Sequence, residues 1–482
     1  MLHYMYTGMR WMNRRQMTVL VLLFAMTAYA DKAWWPVPMF RPDTARDSIE
    51  YVMEVSAVAS SGRTAPFFIH ANENGNISAA PFSGNISAGV IKRATRPSRW
   101  FDYDFGVVMT GRFDTERATG YFRQLYAHTR LYIIDVTAGI KPFSVGAQNP
   151  SLTMGGLLFS NNAQPIPRIS IGIDDYLPFP GLFGYMEIKG GLTHGWFVDA
   201  SRLDSFGTKG ALLHYKFAGV RVGGQLPINI SYEIHHAAQW GGVSPDNGPF
   251  DTSWETYKHI FMASSGGSTL SDQMNAQGNH IGFQQLALTA KWTDWNITAY
   301  WQNLFEDKSA DIIGRSNQED GMWGLAIRQT QWPFIHSVTY EFLNTTSQNG
   351  PWHDRDGLVF GGRSDYYRNS SYRQGWTHFG RTIGNSFMSP SNNRVRTHYA
   401  GVAGDIYGYR YRLMGAYTRN WGIPSWLNIS HNTALMLEVK KTVPQAWGLD
   451  FGLRLAADFG DQFGNQFGAM ITISKQGLIH EW

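Results

Sequence analysis

Cysteine is absent from all 482 residues. Its absence excludes disulfides, Cys-ligated zinc, iron–sulfur clusters and thiol catalysis, together with any lipid anchor carried on an N-terminal cysteine. A chain this long without Cys suits export through an oxidising periplasm. Charge is also scarce: Asp, Glu, Lys and Arg make up 16% of the chain, against about 25% in ordinary soluble domains. The formal charge of +4 comes from 41 Lys+Arg against 37 Asp+Glu, and no basic cluster follows one helix or arm, so nucleic acid is not an expected partner. Long apolar runs are missing as well. After Ala30 no window reaches 18 consecutive apolar residues, so no helix is expected to span a bilayer.

What the chain has in quantity is aromatic side chains and glycine, with 18 Trp, 23 Tyr, 29 Phe and 51 Gly. That much apolar surface offsets chain entropy and excludes a disordered protein. The N-terminus points to export. Arg10, Arg14 and Arg15 precede the apolar run 17–25, and Ala28-Tyr29-Ala30 offers the small residues a signal peptidase reads. Residues 1–30 therefore read as a secretory signal peptide, with Met12 as an alternative start. A membrane anchor is disfavoured because the run falls short of the roughly 20 residues a spanning helix needs.

An exported chain of this kind is soluble, secreted, or a transmembrane β-barrel, and side-chain periodicity bears on the choice. In 448–458, Leu449, Phe451, Leu453, Leu455 and Ala457 share one face, with Asp450, Arg454 and Asp458 on the other. The segment 211–218 divides Ala211, Leu213, Tyr215 and Phe217 from Leu212, His214 and Lys216. In 285–292, Leu286, Leu288, Ala290 and Trp292 oppose Gln285, Thr289 and Lys291, and in 409–417 Tyr409, Tyr411, Leu413 and Tyr417 oppose Arg410 and Arg412. Period two means strands. A soluble sandwich alternates in the same way, so connection lengths must decide.

From residue 220 onward, short connections (224–227, 293–295, 331–333, 405–408, 442–447) alternate with long ones (241–279, 306–321, 346–397, 418–431). Such alternation puts every second connection at the same end of the sheet, as in outer-membrane barrels with short periplasmic turns and long extracellular loops. Aromatics flank the short turns at Trp292, Trp295, Trp332 and Trp447, and the chain ends on Trp482, as barrels inserted into the outer membrane often do. The expectation is an all-β, transmembrane antiparallel β-barrel of about 18 strands in the outer membrane of a Gram-negative bacterium. An irregular leader covers 31–47 and the barrel 48–482. Its expected partners are outer-membrane lipid and a barrel-insertion machinery, and it is expected to be a monomer. The proline-rich stretch 149–180 does not read as regular sheet.

Particular segments then resemble a known family. Gln124-Leu125-Tyr126-Ala127, Gly155-Gly156-Leu157, the run from Ser160 through Asn161, Asn162, Ala163, Gln164, Pro165 and Ile166 to Pro167, and Ile173-Asp174-Asp175-Tyr176 are similar to the Wzi capsule-assembly family. So are Thr64-Ala65-Pro66-Phe67-Phe68, the run His236 to Gly242, Gly278-Asn279-His280-Ile281-Gly282, the run Glu319 to Gly324 and Arg419-Asn420-Trp421-Gly422. The resemblance covers nearly the whole mature chain in order, as a divergent branch. It implies an 18-stranded outer-membrane barrel that associates with surface or capsular polysaccharide and helps hold it at the cell surface.

Chemistry in the residues themselves is sparse. His235 and His236 point to opposite faces of a strand and cannot share a metal ion. Asp174-Asp175, Glu306-Asp307 and Glu319-Asp320 could serve a glycosidase but read as solvated turn residues. No nucleophile elbow, H-E-x-x-H or phosphate-cradling loop stands in its required context, so no enzyme, metal or cofactor is expected. The expected binding loop is 346–397, where aromatics that stack on sugars interleave with guanidinium groups that pair with carboxylate or phosphate. The candidate set is Trp352, Arg355, Arg363, Tyr366, Tyr367, Arg368, Tyr372, Arg373 and Trp376, and the competing reading is that the aromatics pack the loops into a cap. Lumenal charges such as Arg410, Arg412, Arg454, Asp450 and Asp458 would line a pore or neutralise one another in a plugged interior. Two functions stay open, polysaccharide binding and a porin-like diffusion channel for small solutes.

Overall fold

Period-two alternation becomes 18 antiparallel strands, each hydrogen-bonded to the next in sequence. The computed structural model describes residues 47–93, 100–182, 184–203, 206–267, 269, 276–306, 319–348, 353–355, 358–360 and 365–481. These fall in the unit Ala45–Trp482. The expected signal peptide 1–30, all but the last residue of the expected leader 31–47, and Trp482 lie outside the described residues. The first nine strands are β1 (Ser48–Ser60), β2 (Phe82–Lys92), β3 (Phe101–Asp114), β4 (Ala118–Leu131), β5 (Ile134–Ile140), β6 (Arg168–Pro178), β7 (Met186–Trp196), β8 (Leu212–Val222) and β9 (Ile228–Trp240). The others are β10 (Asn279–Lys291), β11 (Trp295–Phe305), β12 (Gly321–Gln329), β13 (Ser337–Asn344), β14 (Val395–Ile406), β15 (Tyr409–Ile423), β16 (Trp426–Val443), β17 (Leu449–Gly460) and β18 (Gln466–Glu481).

Pairing of β1 with β18, from Ser48 opposite Glu481 to Ser60 opposite Gly468, closes the sheet. Closure leaves no strand edge, which is the condition for a sheet to cross lipid with its backbone satisfied. The outer wall carries the expected apolar faces. Leu453 is 43% exposed while its neighbour Arg454, on the lumenal face, is 3% exposed, and Leu286 and Leu288 face outward beside buried Gln285. Exposed Trp292, Trp332, Tyr407 and Trp447 ring the end that carries the short turns and both ends of the sheet, where an interfacial girdle belongs.

Three expectations need correction. The face assignment reverses on β8, where Leu213 and Tyr215 point into the lumen and are buried. They pack there against Phe143 and Phe159, with Phe159 and Tyr215 ring centroids 5.0 Å apart. The polar face of β8 lies on the outer wall, under a helix. The stretch 418–431 is not a loop but the tip of a hairpin, because β15 runs to Ile423 and pairs it with Trp426. Gly422, at φ +74°, allows this: a Cβ there would sit 2.5 Å from the Trp426 carbonyl oxygen. The proline-rich stretch 149–180 contains a full strand, β6, with Ile169 and Ile171 exposed on its outer face; its prolines 165, 167, 178 and 180 sit at or beyond its ends, where no ladder donor is lost.

Candidate functional site

Three long connections, 61–81, 141–167 and 345–394, turn inward and share one apolar core with the lumenal wall. Helix α1 (Phe67–His70) buries Phe67, Phe68 and Ile69. Four residues is too short for an independent helix, and the wall holds it at both ends. The Asp458 carboxylate accepts from the Phe67 amide at 2.9 Å, and the Arg454 guanidinium donates to the Ile69 carbonyl at 3.2 Å. Negative charge at the N-terminus and positive at the C-terminus complement the peptide dipoles. Both side chains come from β17 four residues apart, on the same face.

The connection 141–167 carries the motif Ser160 to Pro167 and places Leu152, Met154, Leu157, Leu158 and Phe159 in the core. The Glu341 carboxylate on β13 anchors it, accepting from the Met154 amide and the Thr153 hydroxyl at 2.6 Å each and from the Tyr300 hydroxyl at 2.5 Å. The connection 345–394 lies against it. The Trp376 indole N–H donates to the Leu158 carbonyl at 2.8 Å, the Tyr367 hydroxyl to the Leu157 carbonyl, and the Asn385 amide to the Gly155 carbonyl at 2.8 Å.

The candidate binding residues separate accordingly. Tyr366, Tyr367, Tyr372 and Trp376 are buried, their faces covered by protein. The Tyr366 hydroxyl donates to Asp320 at 2.9 Å and that of Tyr372 to the Gly241 carbonyl at 3.1 Å. Arg368 and Arg373 keep a solvent-facing guanidinium, each in an ion pair, with Asp365 at 2.8 Å and Asp246 at 2.7 Å. Arg355 stands in a short hairpin, His353–Arg355 with Leu358–Phe360. Trp352 and Arg363 lie outside the described residues. Asp320 is not a solvated turn residue. It is buried, accepting from the Ser347 and Gln348 amides at 2.8 and 2.5 Å, and burial raises its carboxyl to about 6 against the pull of those donors, Tyr366 and Arg394.

Lumenal charges neutralise one another. Arg454 bridges Glu73 at 2.7 Å and Glu438 at 3.0 Å, Arg412 meets Glu438 at 2.6 Å, and Arg410 meets Asp450 at 2.9 Å. Further round the wall, His128, Asp135 and Asp174 bring ligand atoms within 4.8 Å of one another. Arg130 and Lys141 already pair with Asp135 and Asp104, at 2.7 and 3.0 Å, and both His128 nitrogens meet carboxylates. The cluster is therefore an ion-pair network. His235 and His236 do face opposite ways: His235 lies in the lumen, stacked on Phe283 at 4.4 Å, and His236 on the outer wall, 2.8 Å from His280.

Sequence reasoning missed the outer-wall patch. His194, His214, Lys216, His236 and His280 all project outward from β7 to β10. Helix α2 (Trp254–Met262) covers part of it, with Ile260 and Tyr257 packed on Ala238, Trp240 and Leu212. Lys216 donates to the Phe261 carbonyl in the last helical turn and sits 4.2 Å from that ring's centroid. The signal was a polar residue at every second position on the face that elsewhere is apolar.

A closed barrel of 18 antiparallel strands with an apolar outer band and a plugged interior is a multi-pass outer-membrane β-barrel. No family model matches the sequence, and no curated protein matches it as a relative. Among solved structures the chain is similar to Wzi of Escherichia coli, an outer-membrane protein involved in group 1 capsule assembly and a carbohydrate-binding β-barrel, with TM-score 0.54 and 12% identity over 88% of this chain and 84% of that one. It also matches OpdQ of Pseudomonas aeruginosa (TM-score 0.47, 9% identity, 90% and 99% covered) and a BenF-like porin of Pseudomonas fluorescens Pf-5 (0.47, 11%, 90% and 99%). At these identities the likeness is one of fold.

Proposed function

We propose that this barrel binds or anchors a surface polysaccharide, capsular or related, and assists its assembly at the cell surface, without catalysing a reaction. The observation that carries the reading is the plug. Three connections turn into the lumen from the long-loop end and share an apolar core with its wall, which suits a barrel that works through its outer rim better than one that passes solutes freely. The segments resembling the Wzi capsule-assembly family point the same way, because the run Ser160 to Pro167 lies in that plug. In this reading Tyr366, Tyr367, Tyr372 and Trp376 stiffen the loop from within, while Arg368 and Arg373 present its outer surface to an acidic glycan.

A porin-like channel is the second reading, favoured by two polar cavities of about 260 and 390 Å³ in the lumen near the short-turn end. Deleting the gene and measuring retained surface polysaccharide, alongside single-channel recording of the purified barrel in planar bilayers, separates the two. Loss of attached polysaccharide with no stepwise conductance is expected. Normal polysaccharide with clear single-channel steps would replace the first reading by the second.

A further inference from the structure

The cavity of about 260 Å³ is bounded by the ends of β8 to β12 next to their short turns, so it opens toward the periplasm. Its lining combines neutral polar groups with three cations and one acid, Glu233. Asn229, Ser231, Thr289, Asn296 and Thr298 offer neutral donors and acceptors, while Arg221, Lys291 and Arg328 bring positive charge. The carboxylates nearby are already engaged. Glu233 holds Lys189 at 2.8 Å, His235 at 2.9 Å and the Tyr176 hydroxyl at 2.8 Å, and Glu187 holds Arg221 at 2.5 Å.

Among the described residues neither Lys291 nor Arg328 has a carboxylate at ion-pair distance, although Glu187 lies near enough to attract Lys291. Arg328 donates only to the neutral Asn149 side chain, at 2.9 Å. They stand on either side of Asn296, which is paired across the sheet with both. Cations are costly to withdraw from water unless an anion compensates them, and here two border one water-accessible hollow whose nearest acids, Glu233 in the lining and Glu187 beside Arg221, are each held at ion-pair distance by other cations. A guanidinium beside an ammonium suits a carboxylate or phosphate group, and the ring of Asn, Ser and Thr suits the hydroxyls of whatever carries it.

We infer that the periplasmic vestibule at Lys291 and Arg328 is a binding site for a small hydroxylated anion, a sugar bearing a carboxylate or a phosphate. The site lies at the opposite end of the barrel from the surface loops, so it stands whether the rim holds polysaccharide or the lumen passes solutes. It would gather anionic sugar units from the periplasm under the plug.

Titration calorimetry on the purified full-length barrel in detergent, at low salt, tests it with four probes: glucuronate, glucose 6-phosphate, inorganic phosphate and glucose. Binding of glucuronate or glucose 6-phosphate is expected, at least tenfold tighter than glucose, and weakened at least tenfold by Lys291→Gln and by Arg328→Gln. Arg328→Lys, which keeps the charge, should recover part of the loss. Tighter binding of glucuronate assigns the site to acidic sugars, and tighter binding of glucose 6-phosphate to phosphorylated ones. Heat-dependent migration in detergent gels confirms that each variant is folded. Three results would overturn the site: no binding of either sugar anion, inorganic phosphate binding as tightly as both, or affinities that ignore the two substitutions in folded protein.

Discussion

At the residue scale, what decides a side chain's cost is the medium its face meets. Leu453 faces lipid, so Leu453→Arg should destabilise the barrel by about 2–4 kcal/mol near the bilayer midplane. Equilibrium unfolding from lipid vesicles measures this, and a change below about 1 kcal/mol would mean that β17 is turned the other way round. Asp320 gives the pH-dependent counterpart. Its carboxyl is raised to about 6 by burial, whereas in the unfolded chain it titrates near 3.9. Between those values the folded state binds more protons than the unfolded one, so stability at this site is fullest below about pH 4. It falls as pH rises toward 6 and is constant above, a difference on the order of 2–3 kcal/mol. Protection of the Ser347 and Gln348 amides in hydrogen exchange, corrected for intrinsic rates, should therefore weaken from pH 4 to 7 in the parent, and Asp320→Asn should remove the trend.

Among the elements, helix α2 solves a problem created by β8 to β10. The polar wall there would face hydrocarbon if bare, and α2 answers it with a carbonyl for Lys216 and apolar side chains for Ala238 and Trp240. Its own outer face exposes Trp254 and Met262, 69% and 66%. Replacing 253–263 by a flexible Gly/Ser linker should cost about 2–4 kcal/mol in vesicles, the penalty for a Lys facing lipid, and Lys216→Met in the same background should restore most of it. If the linker variant is as stable as the parent, α2 does not shield the wall. Sidedness belongs to this scale too. A tag at Pro245, in the connection from β9 to β10, should be reached by antibody on intact cells, whereas a tag in 293–295, the turn between β10 and β11, should require permeabilised cells. The opposite labelling would invert the topology.

For the whole molecule, closure is the feature on which the others depend. Truncation before Gln466 removes β18 and leaves two open edges, on β1 and β17. Neither edge can be satisfied by lipid, so the truncated chain should fail to acquire the heat-dependent gel shift of a folded barrel. A folded, inserted product would contradict closure through β1 and β18. The plug depends on closure in turn, since its apolar core includes Val58 of β1 and Met470 of β18, which meet only across that seam.

Much of this was legible in the residue order. Strand period and the barrel class follow from local chemistry, because a strand exposes alternate side chains to two media whatever its neighbours are. Period two says that the faces differ, and not which one meets lipid. On β8 that choice was made by the plug inside and α2 outside. The destination of the aromatic loop was equally beyond local reading: Trp376 is buried because its indole meets a carbonyl 218 residues away, and solvent-facing and core aromatics are the same residues until such a partner arrives. Local sequence determined what each segment could be, and contacts between segments far apart in the chain decided which of two surfaces each one buried.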